Sequence, residues 1–117
     1  SPFEKTMGYS RAVVKGPWCF VSGVTGYDYA TMVMPEDVAD QARNCFGTIL
    51  WALAQGGFTL SDVVRVQYTL TDAALIDRVV PVLGEFLGEI RPAATMVIAG
   101  LIRPEMKIEI EVTALRS

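Results

Sequence analysis

Charged and apolar side chains alternate near the end of the chain, where the residues best suited to chemistry lie. Residues 107–112 read Lys-Ile-Glu-Ile-Glu-Val. This period of two predicts a β-strand whose apolar residues share one face and whose glutamates, Glu109 and Glu111, share the other. Like charges side by side on one strand face repel each other, so they indicate either a solvated face or a functional site. In a site, such carboxylates serve as general acids or bases.

The lack of histidine further limits the kinds of catalysis and metal binding that the chain can support. The 117 residues include no histidine, which removes the usual general base at neutral pH and the commonest metal ligand. Cys19 and Cys45 lie in apolar contexts and are predicted to be buried free thiols. The sequence contains no nucleophilic triad and no phosphate-binding loop, since Gly23 and Gly26 form only a weak glycine pair. We therefore expect no metal and no other cofactor.

The amino-acid composition limits the binding partners and the cellular location that we expect for this protein. A net charge of -3 opposes nucleic-acid binding, which calls for a basic patch. No segment approaches the ~20 apolar residues of a membrane span, and no basic-then-apolar leader opens the sequence, so we expect no membrane partner and a cytoplasmic location. The length predicts one domain, residues 1–117. The hydrophobic fraction of 51% is high for a small domain and favours burial of surface between subunits.

Short strands are predicted in the first and middle parts of the chain. Residues 9–14 and 18–22 are apolar runs joined by a Gly-Pro turn, a pattern typical of a β-hairpin. Residues 23–29 are rich in glycine and tyrosine and are predicted to form a loop. Residues 60–70 predict a strand with Val64 on its apolar face.

Two helices are predicted between the strands. The first begins with Pro-Glu-Asp at residues 35–37 and ends at Gln-Gly-Gly, residues 55–57. The second is capped by Thr-Asp at residues 71–72 and ends near Gly88. Pro81 lies inside it, which predicts a kink or a two-part helix.

A closing β-hairpin is predicted from residues 93–99 and 106–115. The resulting order of elements predicts an α+β fold, in which two helices cover one face of a single mixed or antiparallel sheet. The other face then needs a partner, and another subunit is the simplest one.

Several short motifs resemble those of the RidA/YjgF family, also labelled endoribonuclease L-PSP. The family patterns are Gly-Pro-Tyr-Ser-x-Ala, Ser-Gly, Gly-x-(Ser/Thr)-Leu-x-Asp-Val-Val, Pro-Ala-Arg-(Ser/Thr) and (Val/Ile)-Glu-Ile-Glu. The matching segments are residues 8–12 (Gly-Tyr-Ser-Arg-Ala), 22–23 (Ser-Gly), 57–64 (Gly-Phe-Thr-Leu-Ser-Asp-Val-Val), 92–95 (Pro-Ala-Ala-Thr) and 108–111 (Ile-Glu-Ile-Glu).

The resemblance implies a chorismate-mutase-like homotrimer with small-molecule clefts between subunits. Family members hydrolyse reactive enamines and imines without a cofactor. An arginine binds the substrate carboxylate, and a glutamate on the last strand activates water. By motif, Glu109 takes the catalytic position, Tyr9 lines the cleft, and Ser22 forms a polar wall.

One position departs from the family pattern. Ala94 stands where the motif has its arginine, and Met96 adds an apolar wall nearby. A planar guanidinium suits a carboxylate because its fork matches the two oxygens, so its loss implies an altered substrate. Arg103 and Arg11 are the first candidates to replace it, although general residue statistics favour a solvated surface position for each.

Two functions follow from these observations. The first is a hydrolytic deaminase of small enamine or imine metabolites that uses Glu109 and a bound water. The alternative is a trimer that binds a small metabolite without turning it over. The acidic charge gives little support to the ribonuclease label.

Overall fold

A computed structural model describes residues 3–117 and contains a five-stranded sheet. The strands are β1 (Ala12–Lys15), β2 (Trp18–Thr25), β3 (Val63–Leu70), β4 (Ala93–Ile98) and β5 (Ile108–Leu115), and the helices are α1 (Phe3–Met7), α2 (Val38–Gln55) and α3 (Ile76–Leu87). The sheet order is β1-β2-β5-β3-β4. Neighbouring strands are antiparallel except β3 and β4, which are parallel. The predicted α+β fold with one mixed sheet is confirmed.

The core lies between one face of the sheet and the two long helices. The apolar stripe of α2 is fully buried at Phe46, Ile49 and Leu53, and the Phe46 ring stacks on Phe86 of α3 with centroids 4.5 Å apart. Asp37 caps α2, because its side chain accepts a hydrogen bond from the Ala39 amide. The strand faces opposite this core remain open.

The second helix differs from its prediction. It is a single segment, Ile76–Leu87, preceded by a 3₁₀ turn over Ala73–Leu75. Of the two predicted alternatives, the α-helix is not divided at Pro81, and the kink stays a prediction. Pro81 lies on the exposed side of α3, so the carbonyl that its missing N–H leaves unpaired can bond to water.

The predicted closing hairpin was also wrong. Strand β4 pairs in parallel with β3, and β5 lies between β2 and β3. The reason is the helix between β3 and β4, since a strand–helix–strand unit returns the chain parallel to its first strand. The alternation in β5 was predicted correctly, and Ile108 and Ile110 are fully buried.

Two irregular pairings account for the remaining differences. In β3 the ladder shifts between Val63 and Arg65, so Val63 is buried and Val64, predicted to be apolar-facing, is 42% exposed. In β2 the pairing with β5 shifts between Val21 and Val24, and the strand continues to Thr25 through the predicted loop. Such bulges place one extra residue against the partner strand.

Neither a bilayer-spanning helix nor a group of side chains able to hold a metal ion is found within residues 3–117.

Candidate functional site

A cavity of about 450 Å³ lies at the face of β5 turned away from the long helices. It is bounded by α1, by the start of β1, by the bulge of β2 and by the loop before β5. Five of the seven predicted site residues line it. These are Tyr9, Arg11, Ser22, Arg103 and Glu109.

Two carboxylates line this cavity, Glu109 and Glu111, and Glu109 is the half-buried one. Burial raises the pKa of its carboxyl group, the neighbouring charge of Glu111 raises it further, and Arg11 partly opposes the shift. Within residues 3–117 no side chain forms a hydrogen bond or ion pair with it. A half-buried carboxyl group with a raised pKa is a stronger base, once ionised, than an exposed one, so it suits proton transfer.

Gly23 makes the space that the Glu109 carboxylate occupies. A Cβ added to Gly23 would lie 2.7 Å from Cδ and 2.8 Å from Oε1 of Glu109, closer than real Cβ atoms approach. Gly23 belongs to the bulge of β2, where the extra residue brings the backbone against β5. The missing side chain and the bulge together place the carboxylate at the cavity wall.

Arg11 reaches the same glycine from the other side. Its Nη1 donates a hydrogen bond to the Gly23 carbonyl at 2.9 Å. The side chain is only 9% exposed, and its guanidinium carbon lies 5.8 Å from the Tyr9 ring centroid and 5.5 Å from that of Tyr29. Among the described residues it forms no ion pair. Arg11 is therefore a buried cation that lines the cavity and acts electrostatically on Glu109 and Glu4 without forming an ion pair with either.

Ser22, predicted to form a polar wall of the cleft, forms hydrogen bonds that stabilise the local backbone. Its hydroxyl donates to the Ser10 carbonyl at 2.5 Å, and its amide donates to the Arg11 carbonyl at 2.9 Å. These bonds hold the segment that carries Tyr9 and Arg11 against β2. The Ser22 oxygen keeps a lone pair that can accept a hydrogen bond from a ligand.

Arg103 lies at the exposed rim of the cavity, with its guanidinium carbon 5.6 Å from the Phe3 ring centroid. The loop that carries it is fixed by Gln41, which is fully buried in α2. The Gln41 amide donates to the carbonyls of Pro35 and Glu105 and accepts from the Lys107 amide. Sequence reasoning did not assign Gln41 this function, although an amide inside an apolar helical stripe is a recognisable signal.

Tyr27 also holds this loop. Its hydroxyl donates to Oε2 of Glu105 at 2.7 Å. Burial and this hydrogen bond raise the pKa of Tyr27 to about 12, and the same bond lowers the pKa of Glu105. Tyr27 therefore stays protonated at neutral pH and acts as a donor to the loop.

Ala94 and Met96 lie elsewhere in the chain. Both are on β4, at the opposite edge of the sheet, and Ala94 pairs with the buried Val66 on the helix side. A shallower cavity of about 310 Å³ beside Ala94 also contains the side chain of Arg91. One chain alone does not bring Ala94 and Glu109 together.

A larger cavity of about 660 Å³ lies behind Arg11 and Tyr29, over the outer face of α2. It does not include Glu109, and Arg43 at its edge is engaged with Asp40 and Glu85. Cavity volume therefore does not identify the candidate functional site in this protein. The cavity of about 450 Å³ is the one that contains Glu109, the catalytic residue predicted from the sequence.

The chain matches the sequence model of one protein family over nearly its whole length. That family is described as Endoribonuclease L-PSP, and the match covers residues 2–116. The solved structure of Rv2704 from Mycobacterium tuberculosis, a member of the YjgF/YER057c/UK114 family, is 40% identical with a TM-score of 0.90, over 98% of this chain and 92% of that one. The fold and cavity thus define a small α+β protein of this class.

Two further relatives have names that refer to an activity or a ligand. The 3-aminoacrylate deaminase RutC of Acinetobacter baylyi is 35% identical over 78% of this chain and 73% of its own. The crystal structure of Escherichia coli TdcF with bound serine is 27% identical with a TM-score of 0.87, over 93% of this chain and 88% of that one. The chain belongs to the RidA/YjgF family.

Proposed function

We propose that this protein is a homotrimeric hydrolase that converts small enamine or imine metabolites to carbonyl compounds and ammonia, without a cofactor. The observation that carries the proposal is the Glu109 carboxyl group, half-buried in a cavity with a raised pKa. The deaminase name of RutC, a relative at 35% identity, supports the same reaction class.

Glu109 performs the proton transfers of this reaction. An enamine first takes a proton at carbon and becomes the imine. Glu109 then removes a proton from water as its oxygen bonds to the imine carbon, and the C=N electron pair moves to nitrogen. That proton passes from Glu109 to the nitrogen and gives a carbinolamine. Glu109 then takes the hydroxyl proton and passes it to the nitrogen as the C–N bond breaks, and the products are a carbonyl compound and ammonia. One carboxyl group acts in turn as base and acid, which a raised pKa favours.

An exposed apolar strip on the open sheet face supports self-association. Val13, Trp18 and Phe20 are 44%, 39% and 46% exposed, and the two aromatic rings stack with centroids 6.0 Å apart. Side chains of this kind are typical of subunit interfaces. In such a trimer the β4 edge of one subunit closes the cavity of the next, and Ala94 there alters the range of substrates.

A competition assay tests the reaction. A 2-imino acid is generated from 2-aminobutanoate by an amino acid oxidase with catalase, and semicarbazide traps the free imine. Wild-type protein should lower the rate of semicarbazone formation and raise the rate of ammonia release. Glu109→Gln should reduce the catalysed rate by about 10²–10⁴. Glu85→Gln, which removes an exposed glutamate outside the cavity, should not.

A non-catalytic binding protein is the second candidate. The apolar residues Ala94 and Met96 on β4 favour it, because an apolar edge offers no group for chemistry. It predicts thermal stabilisation by a small metabolite, about 2.7 kcal/mol at 100 times the dissociation constant, with no product formed. Acceleration of imine hydrolysis that depends on Glu109 would exclude it.

A further inference from the structure

We propose that Arg11, on the same subunit as Glu109, binds the anionic end of the substrate in place of the residue missing at position 94. The substrates are then imines and enamines that carry a carboxylate one bond from the reacting carbon. This inference rests on the proposed hydrolysis for its catalytic part, but the anion site itself stands without it.

The first argument is the state of the Arg11 side chain. A guanidinium that is nine-tenths buried is costly unless an anion or several acceptors surround it. Within residues 3–117 its guanidinium donates one hydrogen bond to a carbonyl and lies near two aromatic rings. The charges of Glu4 and Glu109 act on it, but it forms no ion pair with either. Its other N–H donors are available to a ligand in the cavity. A carboxylate fits this vacancy because it accepts two parallel hydrogen bonds from the planar fork.

The second argument is the position of Arg11 relative to Glu109. Arg11 donates to the carbonyl of Gly23, and the Glu109 carboxylate lies against the α-carbon of the same residue. The cation and the acid–base group are thus separated by one backbone unit. A 2-imino acid carries its carboxylate and its imine carbon on adjacent atoms, so it can contact both groups at once.

The third argument is the comparison with the other arginines near a cavity. Arg103 lines the same cavity but lies at its exposed rim, where water competes for it. Arg91 is exposed at the β4 edge, beside Ala94. Arg11 is the one of the three that burial has already desolvated and that hydrogen bonds hold in place.

Two matched substrates test the inference. The first is 2-iminobutanoate, generated from 2-aminobutanoate, and the second is butan-1-imine, generated from butylamine by an amine oxidase. Arg11→Gln should lower kcat/KM for 2-iminobutanoate by about 10- to 100-fold, because charge-assisted hydrogen bonds are lost. It should change kcat/KM for butan-1-imine by less than about 3-fold, since that substrate has no carboxylate to lose a partner. Arg78→Gln removes an exposed arginine elsewhere and should change neither value.

A second variant guards against a folding defect. Arg11→Lys keeps the charge and a donor for Gly23 but loses the fork, and it should raise KM for 2-iminobutanoate more than it lowers kcat. If Arg11→Gln and Arg11→Lys treat both substrates as the wild type does, the inference is wrong and the proposed hydrolysis stands.

A binding measurement tests the anion site at Arg11 independently of the proposed hydrolysis. If the wild type hydrolyses neither imine, calorimetry with 2-oxobutanoate, the hydrolysis product, decides the matter. Binding that Arg11→Gln weakens at least 10-fold establishes the anion site without turnover. Equal binding by wild type and Arg11→Gln, or no binding by the wild type, overturns it.

Discussion

The two edges of the sheet differ in what they offer a ligand. At the β1–β2 edge, a buried guanidinium and a half-buried carboxyl group meet at Gly23. At the β4 edge, Ala94 and Met96 present apolar side chains, and the neighbouring Arg91 is exposed. Position 94, where the family motif has its arginine, therefore has no charge, while the cavity near the opposite edge contains the buried cation of Arg11. The proposed anion site thus follows the buried charge, and the motif position does not locate it.

The two edges also differ in how they are built. The cavity edge depends on backbone detail, namely a bulge in β2, a glycine without a side chain and a loop fixed by Gln41. The β4 edge is a regular parallel pairing with β3. Substitutions that leave the fold intact should therefore affect function mainly at the cavity edge.

Among substitutions that keep both Arg11 and Glu109, the largest effect is expected at Gly23. Gly23→Ala forces the Glu109 carboxylate aside, because the new Cβ would lie 2.7 Å from Cδ. A displacement of about 1 Å from the reacting position is expected to lower kcat for imine hydrolysis about 100-fold. Stability should fall by less than about 1 kcal/mol, since the clash involves the free end of a flexible side chain.

Gly26→Ala is the matched control for that substitution. Its Cβ would lie 2.4 Å from Cβ and 2.6 Å from the α-carbon of Gln41, where a packed helix cannot move away. We expect destabilisation of about 1–3 kcal/mol in urea unfolding. A kcat for Gly23→Ala equal to that of the wild type would show that the carboxylate position is unimportant.

A charge exchange between the edges is expected to have a smaller effect. Adding Ala94→Arg to Arg11→Gln returns a guanidinium to the family position, at the β4 edge. The double variant should recover about 10-fold in kcat/KM for 2-iminobutanoate relative to Arg11→Gln alone. Ala94→Arg in the wild-type background should add little, because the anion site is already filled by Arg11.

Features that depend on residues close in sequence were predicted correctly, whereas features that depend on residues distant in sequence were missed. The alternation in β5 predicted the buried face and placed Glu109 on the opposite face, because strand periodicity is local. The pairing of β4 was missed, since it depends on a crossover through α3. The contacts that Gly23 makes with Arg11 and Glu109 join the segment before β1 to β2 and β5, and no local sequence pattern predicts them. The sequence motifs indicated the candidate site residues but could not show which of them line the same cavity.

The pH dependence of catalysis should move in opposite directions for the two charges near Glu109. Glu111 raises the pKa of Glu109 and Arg11 lowers it. If ionised Glu109 is the base, Glu111→Gln should move the acidic limb of kcat/KM to lower pH, and Arg11→Gln should move it to higher pH. Butan-1-imine is the suitable substrate, since it does not need Arg11 for binding. An acidic limb that stays in place in both variants would remove Glu109 from the base role.

The smallest expected effect is on stability. Because burial raises the pKa of Glu109 above its ordinary value of 4.5, the unfolded chain loses this proton at lower pH than the folded one. The folded state is therefore penalised as pH rises above that value. Glu109→Gln should melt at a higher temperature than the wild type at pH 7, and the gap should shrink as pH falls to 4. A lower melting temperature for Glu109→Gln than for the wild type at pH 7 would contradict the view that the buried Glu109 charge destabilises the folded state.

A crystal structure of the protein with 2-oxobutanoate is the most direct test of the account. We predict carboxylate oxygens about 2.7–2.9 Å from the Arg11 guanidinium nitrogens, with the oxo carbon facing Glu109 of the same subunit. A carboxylate held instead by Arg103, or by Arg91 at the β4 edge of a neighbouring subunit, would contradict the assignment of the anion site to Arg11.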